Sequence, residues 1–402
     1  MSEVLKVLHV LDHSLPLHSG YAFRTESILR AQMNHQIDVL SVTGPKQGSS
    51  TDWVYEEGGL QFHRSTLAEE SSNSPLGQLQ TVTTLRRKLK QLCQEVEPDV
   101  LHAHSPCLNG LAALGHGIPV VYEVRATWED AAVASGTTHP GSFRYNLTRQ
   151  LESFVMGRVD AGVVICDGLR DDFLSRGFAP EQISVVGNAI NPETYRRPDT
   201  HETDALRQRL GLAGKTVIGF FGSFYRYEGL PLLLEAMAEL KDKFPELHVL
   251  LAGGGEDEDV IAQRLTTDLK DCATFVGRVA HDEIATYYGI SDIVVFPRLQ
   301  ERLTDIVTPL KPLEGMYFGS LVIASDVGGH RELVQNDTTG MLFEAGKVDS
   351  LVQCISSAMD NQAAWPNMQK TALDWLMRER TWDAMAVRYR GIYEATVQKA
   401  RR

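Results

Sequence analysis

What most restricts the folds open to this chain is an alternation, run through twice, of short apolar segments with helical ones. The first apolar run, residues 4–11, leads into a polar loop holding Pro16 and Gly20, then into a helical pattern over 23–33. A run so short and so continuously apolar reads as a strand covered on both faces. A strand, a loop and a helix, repeated, make a parallel sheet. Further strands are expected at 37–42, 100–103, 120–124 and 161–165, with helices at 84–97 and 143–156 between them. Residues 47–75, rich in Ser, Thr, Glu and Gly, read as a long surface loop with one hairpin over 53–63.

The periodicity breaks over residues 188–203, where Asn191-Pro192, Arg197-Pro198 and a polar run ending at Thr203 read as a linker. A second series then begins, with strands expected at 216–221, 247–252, 273–276, 293–296 and 321–324. The fold class expected is therefore α/β, with two doubly wound Rossmann-like domains over 1–190 and 205–380. Residues 381–402 form a third segment, in which Trp382, Met385, Tyr389, Ile392, Tyr393 and Val397 give one helical stripe.

At 402 residues the chain exceeds one ordinary core, in keeping with two domains. A net charge of −13 speaks against a nucleic-acid partner, which needs a broad basic face. Five cysteines, widely spaced and without a C-x-x-C pair, suggest neither a disulfide framework nor a zinc site, and so a reducing, cytoplasmic setting. Nowhere do eighteen apolar residues run together. The basic run Arg86-Arg87-Lys88-Leu89-Lys90 reads as a solvated face, with peripheral membrane contact as the alternative. No metal is expected: there is no Asp-x-Asp, and His9 and His13 fall on a strand and a loop, where four-residue spacing does not align two ligands.

Several segments in order carry a resemblance. They are Gly222-Ser223-Phe224-Tyr225-Arg226-Tyr227-Glu228-Gly229-Leu230, Ala252-Gly253-Gly254-Gly255, Val276-Gly277-Arg278, Pro309-Leu310-Lys311-Pro312-Leu313-Glu314 and Asp326-Val327-Gly328-Gly329-His330-Arg331-Glu332-Leu333. With these the chain resembles the retaining family 4 glycosyltransferases of the GT-B fold, and among them is most similar to those of exosortase-linked exopolysaccharide clusters. The resemblance implies two facing domains with the final helix crossing back to the first. It also implies a nucleotide-sugar donor, a UDP-sugar by expectation, and a glycan or lipid-linked acceptor. Exopolysaccharide synthesis in the cytoplasm or at the inner face of the membrane, without metal or other cofactor, completes the expectation.

Site residues follow residue by residue. The resemblance puts the donor against Gly222, Ser223, Gly254, Arg278, Leu310, Lys311 and Glu314, with Glu314 on the ribose. Relatives commonly carry Arg where Ser223 stands, Lys where Glu228 stands, and a second Glu where Ile306 stands. Those departures leave Arg226, on a strand-to-helix loop, and Lys311, near a helix start, as the expected cation clamp for a leaving diphosphate. In the first half, Gly20 opens a loop-to-helix junction whose amides suit phosphate or acceptor. His104 ends a strand, and Arg125 stands where many relatives have a sugar-contacting His. Trp128, Glu129 and Asp130 then form an expected acceptor-facing loop. Two other readings remain: a non-hydrolysing sugar-nucleotide epimerase, and a non-catalytic glycan-binding relative.

Overall fold

The apolar runs become strands sealed on both faces: β1, Leu5–Leu11, is buried at every position but Lys6. A computed structural model describes residues 4–17, 19–47, 53–65, 74–193, 195–280 and 283–401. The chain divides into two compact units, Met1–Asn188 with Trp382–Arg402, and Ala189–Thr381.

The first unit holds β1, β2 (Ile37–Thr43), β3 (Val54–Glu57), β4 (Leu60–Arg64), β5 (Val100–His104), β6 (Val120–Val124), β7 (Ala161–Val164) and β8 (Ile183–Val185). They form one sheet in the order β3-β4-β2-β1-β5-β6-β7-β8, and every pair is parallel except the β3–β4 hairpin. The second unit holds β9 (Thr216–Ser223), β10 (Leu247–Gly254), β11 (Ala273–Phe275), β12 (Ile293–Phe296), β13 (Leu321–Ser325) and β14 (Met341–Phe343). Their order is β11-β10-β9-β12-β13-β14, all parallel. Both sheets are doubly wound: the strand order reverses beside β1 and again beside β9. Ligands of such sheets sit where the order reverses, at the strands' C-terminal ends.

The helix expected at 84–97 starts nine residues earlier and spans Pro75–Val96, because Ser74 caps it by accepting from the Gly77 amide and Pro75 suits the first turn. β8 and β14, three residues each, are too short to leave a period in the sequence. Of the loop expected over 47–75, residues 48–52 and 66–73 lie outside the described residues, as does residue 194 of the linker.

The last helix, Trp382–Ala400, belongs to the first unit and packs on the helix Gly20–Met33 and on β5 and β6. Its buried face is Trp382, Met385, Ala386, Tyr389, Tyr393, Thr396 and Val397, the apolar stripe of the sequence with Ile392 half-exposed at its margin. Arg24 lies over the Trp382 ring at 4.9 Å, and Arg390 donates to the His35 carbonyl at 2.7 Å.

Candidate active site

In the second unit the chemistry-bearing residues gather at the reversal beside β9. The turn after β9, Arg226–Glu228, ends at Gly229 with φ +69. A side chain at Gly229 would run into the Pro297 carbonyl, so glycine lets this turn press against the segment that follows β12. The Leu299 amide donates to the Tyr227 carbonyl at 2.9 Å and closes the contact. Lys311 starts the helix Lys311–Phe318, with Leu310 as its cap, and Gly319 at φ +89 ends it. The stem of Lys311 crosses the end of β9 so closely that a Cβ on Gly222 would lie 2.8 Å from Lys311 Cε.

The Lys311 ammonium is 2.8 Å from Glu228 Oε1 and 4.6 Å from the centre of the Phe220 ring. Arg298, two residues past β12, donates to the same carboxylate from Nη2 at 2.9 Å and from Nε at 3.4 Å. Burial alone would raise the Glu228 pKa, but Arg298 and Lys311 outweigh it and hold the carboxyl at about 2, so it is ionised at neutral pH. Lys311 is pulled below its ordinary value by burial, with Glu228 opposing. His330, fully buried, donates from Nδ1 to the Ser325 carbonyl; burial and then Arg298 push its pKa down to about 3 and leave it neutral.

Glu314, in the first turn of the Lys311 helix, takes a hydroxyl on each oxygen: Tyr195 on Oε1 at 3.0 Å and Tyr288 on Oε2 at 2.9 Å. Each carboxylate oxygen keeps a second lone pair. Gly254 ends β10 with Arg278 beside it, Nε 3.0 Å from where a Cβ would sit. Ser223 ends β9, exposed.

In the first unit the parallel register sets His9 of β1 beside His102 of β5, and His104 beside Glu123 of β6. One unambiguous donor fixes the direction of the whole network. Arg125 Nη2 donates to His104 Nδ1 at 2.7 Å, so His104 Nε2 carries the hydrogen and gives it to His9 Nδ1 at 2.9 Å. His9 Nε2 then donates to Gln32 Oε1, Gln32 to the Tyr393 hydroxyl, and Tyr393 to His102 Nδ1 at 2.7 Å. The three rings are neutral: burial, first of the causes, holds His104 at about 4 and the other two well below their ordinary value. Glu123 accepts from Arg125 Nε at 2.8 Å and from Tyr389.

This geometry corrects several expectations. Arg226 does not join Lys311: its side chain is 74% exposed and its partner is Glu301 at 3.6 Å, while Arg298 takes the place beside Lys311. His104 is fully buried with both ring nitrogens in use, one toward Arg125 and the other toward His9. Arg125 is buried and donates to Glu123, His104, the Tyr21 carbonyl and Thr25, which ties β6 to the first helix. Trp128, Glu129 and Asp130 begin a helix, not a loop, and both carboxylates turn inward, Glu129 to Arg176 at 2.6 Å and Asp130 to Tyr145 at 2.9 Å. Gly20 is the first residue of its helix, where a Cβ would meet open space; Ser19 caps that helix and also bonds His13.

His9, His102 and His104 bring one nitrogen each within 4.8 Å of one another, a grouping of metal-ligand type that the spacing of His9 and His13 did not reveal. The hydrogen-bond chain uses five of their six nitrogens, and the Arg125 guanidinium against His104 opposes a cation there. His102 Nε2 is the remaining one, buried without a hydrogen-bond partner among the described residues.

Residues 19–189 match the family described as Glycosyl transferase 4-like domain, and residues 202–375 the family described as Glycosyl transferases group 1. The GDP-mannose-dependent alpha-mannosyltransferase of Mycolicibacterium smegmatis is 24% identical over 98% of each chain. The 2-deoxystreptamine glucosyltransferase of Streptomyces kanamyceticus is 29% identical over 50% of this chain, which spans about half (52%) of that relative's length. Among solved structures, HepE of Anabaena in complex with UDP superposes with a TM-score of 0.75 at 17% identity, over 97% of this chain and 100% of that one. Sucrose-phosphate synthase of Thermosynechococcus elongatus superposes with a TM-score of 0.75 at 18% identity, over 97% and 98%.

Proposed function

The chain belongs to the family 4 glycosyltransferases of the GT-B fold, and from that premise we propose that it moves a sugar from a nucleotide-sugar, a UDP-sugar by preference, to a glycan or lipid-linked glycan with retention. The observation that carries the reading is Lys311. It is a cation at a helix N-terminus, laid across the end of β9 at the reversal of the second sheet. Amides and macrodipole there favour phosphate, and the ammonium adds a full charge.

In the proposed reaction the bond from the sugar's anomeric carbon to the diphosphate oxygen breaks, and the acceptor oxygen forms its bond on the same face. The acceptor's proton passes to the leaving phosphate. Charge grows on that phosphate as the bond breaks, so cations placed beforehand lower the barrier. Glu314, steadied by Tyr195 and Tyr288, keeps a lone pair on each oxygen for ribose hydroxyls. HepE, with which the fold compares, was solved with UDP and with UDP-glucose, which favours uridine as the base.

Placement in exopolysaccharide synthesis rests on the sequence resemblance alone, and peripheral membrane contact on the basic face over residues 86–90. No helix among the described residues is long and apolar enough to cross a membrane. Incubation with UDP-, GDP- and ADP-sugars and a panel of oligosaccharide and lipid-linked acceptors tests the proposal. Mass spectrometry should find acceptors heavier by one sugar, and the anomeric coupling in NMR should match the donor's configuration. An inverted product overturns retention, and epimerised donor without acceptor gain overturns transfer.

A further inference from the structure

A carboxylate in the turn after β9, beside Lys311, should repel a diphosphate. The structure shows why it need not. Glu228 is buried and ionised, and both of its oxygens are held by cations, Arg298 on each and Lys311 on Oε1. One carboxylate and two cations leave the cluster with a net charge of +1. Arg298 spends Nε and Nη2 on Glu228, while its Nη1 group donates to no described residue. The guanidinium carbon lies over the Tyr227 ring, 5.6 Å from its centre. Arg298 follows β12, Lys311 lies on the end of β9, and the sheet's order reverses between those two strands. His330 is neutral and adds no charge to the cluster.

We infer that Arg298 and Lys311 are the cation pair that receives the donor's diphosphate, and that Glu228 is a positioning residue, an internal anion fixing the spacing between them. The inference rests on the reading that the second unit binds a nucleotide-sugar. Arg298 offers planar, forked donors to phosphate oxygens and Lys311 a point charge. Glu228 keeps both side chains in place before the ligand arrives, so little reorganisation is needed as charge develops. The loop after β9 thus supplies the anchor, and the charge comes from the segment after β12 and the start of the Lys311 helix.

Binding of UDP, GDP and ADP, each beside its nucleoside, is measured by calorimetry on the full chain. Arg298→Gln should weaken the preferred nucleoside diphosphate by tenfold or more and leave the nucleoside unchanged. Because that variant strands a buried carboxylate, Arg298→Gln with Glu228→Gln is measured beside it. The double variant keeps the cluster at +1, so a tenfold loss there reports the arginine's donors and not net charge. Glu228→Gln alone raises the cluster to +2 and should bind the diphosphate as tightly or more tightly while lowering kcat by tenfold or more. If the wild-type protein binds none of the three diphosphates, the nucleotide-sugar reading itself fails. Should it bind one, and the double variant bind it equally well, that reading stands and the role of Arg298 is overturned. Equal loss of kcat and of affinity in Glu228→Gln would make Glu228 a fold residue only.

Discussion

Arg226 and Lys311 carry the same charge and differ in their surroundings. Arg226 is mostly exposed and its attraction to Glu301 is screened by water. Lys311 has 17% of its side chain exposed and is braced by Glu228 and Phe220. A phosphate in contact with Lys311 therefore meets an ammonium already desolvated and placed. Lys311→Met should raise the KM for the donor or lower kcat, with kcat/KM down tenfold or more, about 1.4 kcal/mol. Arg226→Ala should change kcat/KM by less than about threefold. Steady-state kinetics on the two variants check the order, and a larger loss for Arg226→Ala would reverse the assignment. Lys311 was legible in the sequence because the resemblance puts it against the donor, near a helix start. Arg298 was not, since an arginine between Pro297 and Leu299 after a strand reads as an ordinary solvated loop residue; only the packing of Gly229 on Pro297 brings Glu228 to it.

The elements of the first unit are joined by groups that must stay neutral to stay buried. His9, His102 and His104 lie on two adjacent strands and bond, through Gln32 and Tyr393, to the first and last helices. Below the ordinary histidine value near 6.5 the unfolded chain takes up protons that these rings refuse, His104 down to about 4. Their folded pKa values are lowered, so stability is full above about pH 6.5 and falls as pH drops towards 4, by up to about 4 kcal/mol per pH unit for three sites. Thermal unfolding from pH 7.5 to 5 should show this steep loss, and His102→Gln should lessen the slope; a wild-type stability that stays level would mean that the rings charge in place. Deleting residues 382–402 removes Tyr389 and Tyr393 and uncovers the first helix, so the truncated chain should lose solubility or melt well below the full one. A truncated protein that melts like the full chain would show the helix to be dispensable. The helix and its apolar stripe were plain in the sequence. The histidine cluster was not, because residues 93 positions apart meet only through a strand register that no local pattern encodes.

On the scale of the whole molecule, two doubly wound sheets could be foreseen because each strand is short, apolar and followed by a helix, which admits few other arrangements. The details of the ligand sites could not, because the reversal in strand order selects which loops meet, and neither β12 nor β5 announces its neighbours. Cations at the reversal of the second sheet are proposed to do the work that a divalent ion does elsewhere. Activity should therefore survive excess EDTA, and loss restored by magnesium or manganese would overturn metal independence. The central claim is transfer to an acceptor, and it separates this protein both from an epimerase and from a glycan-binding relative. Its most direct test is the rate of nucleoside diphosphate release from the preferred nucleotide-sugar, followed with and without acceptor. Transfer predicts release that rises at least tenfold with acceptor and matches, mole for mole, the sugar gained by it; release independent of acceptor, or binding of the donor with no release in either case, would contradict it.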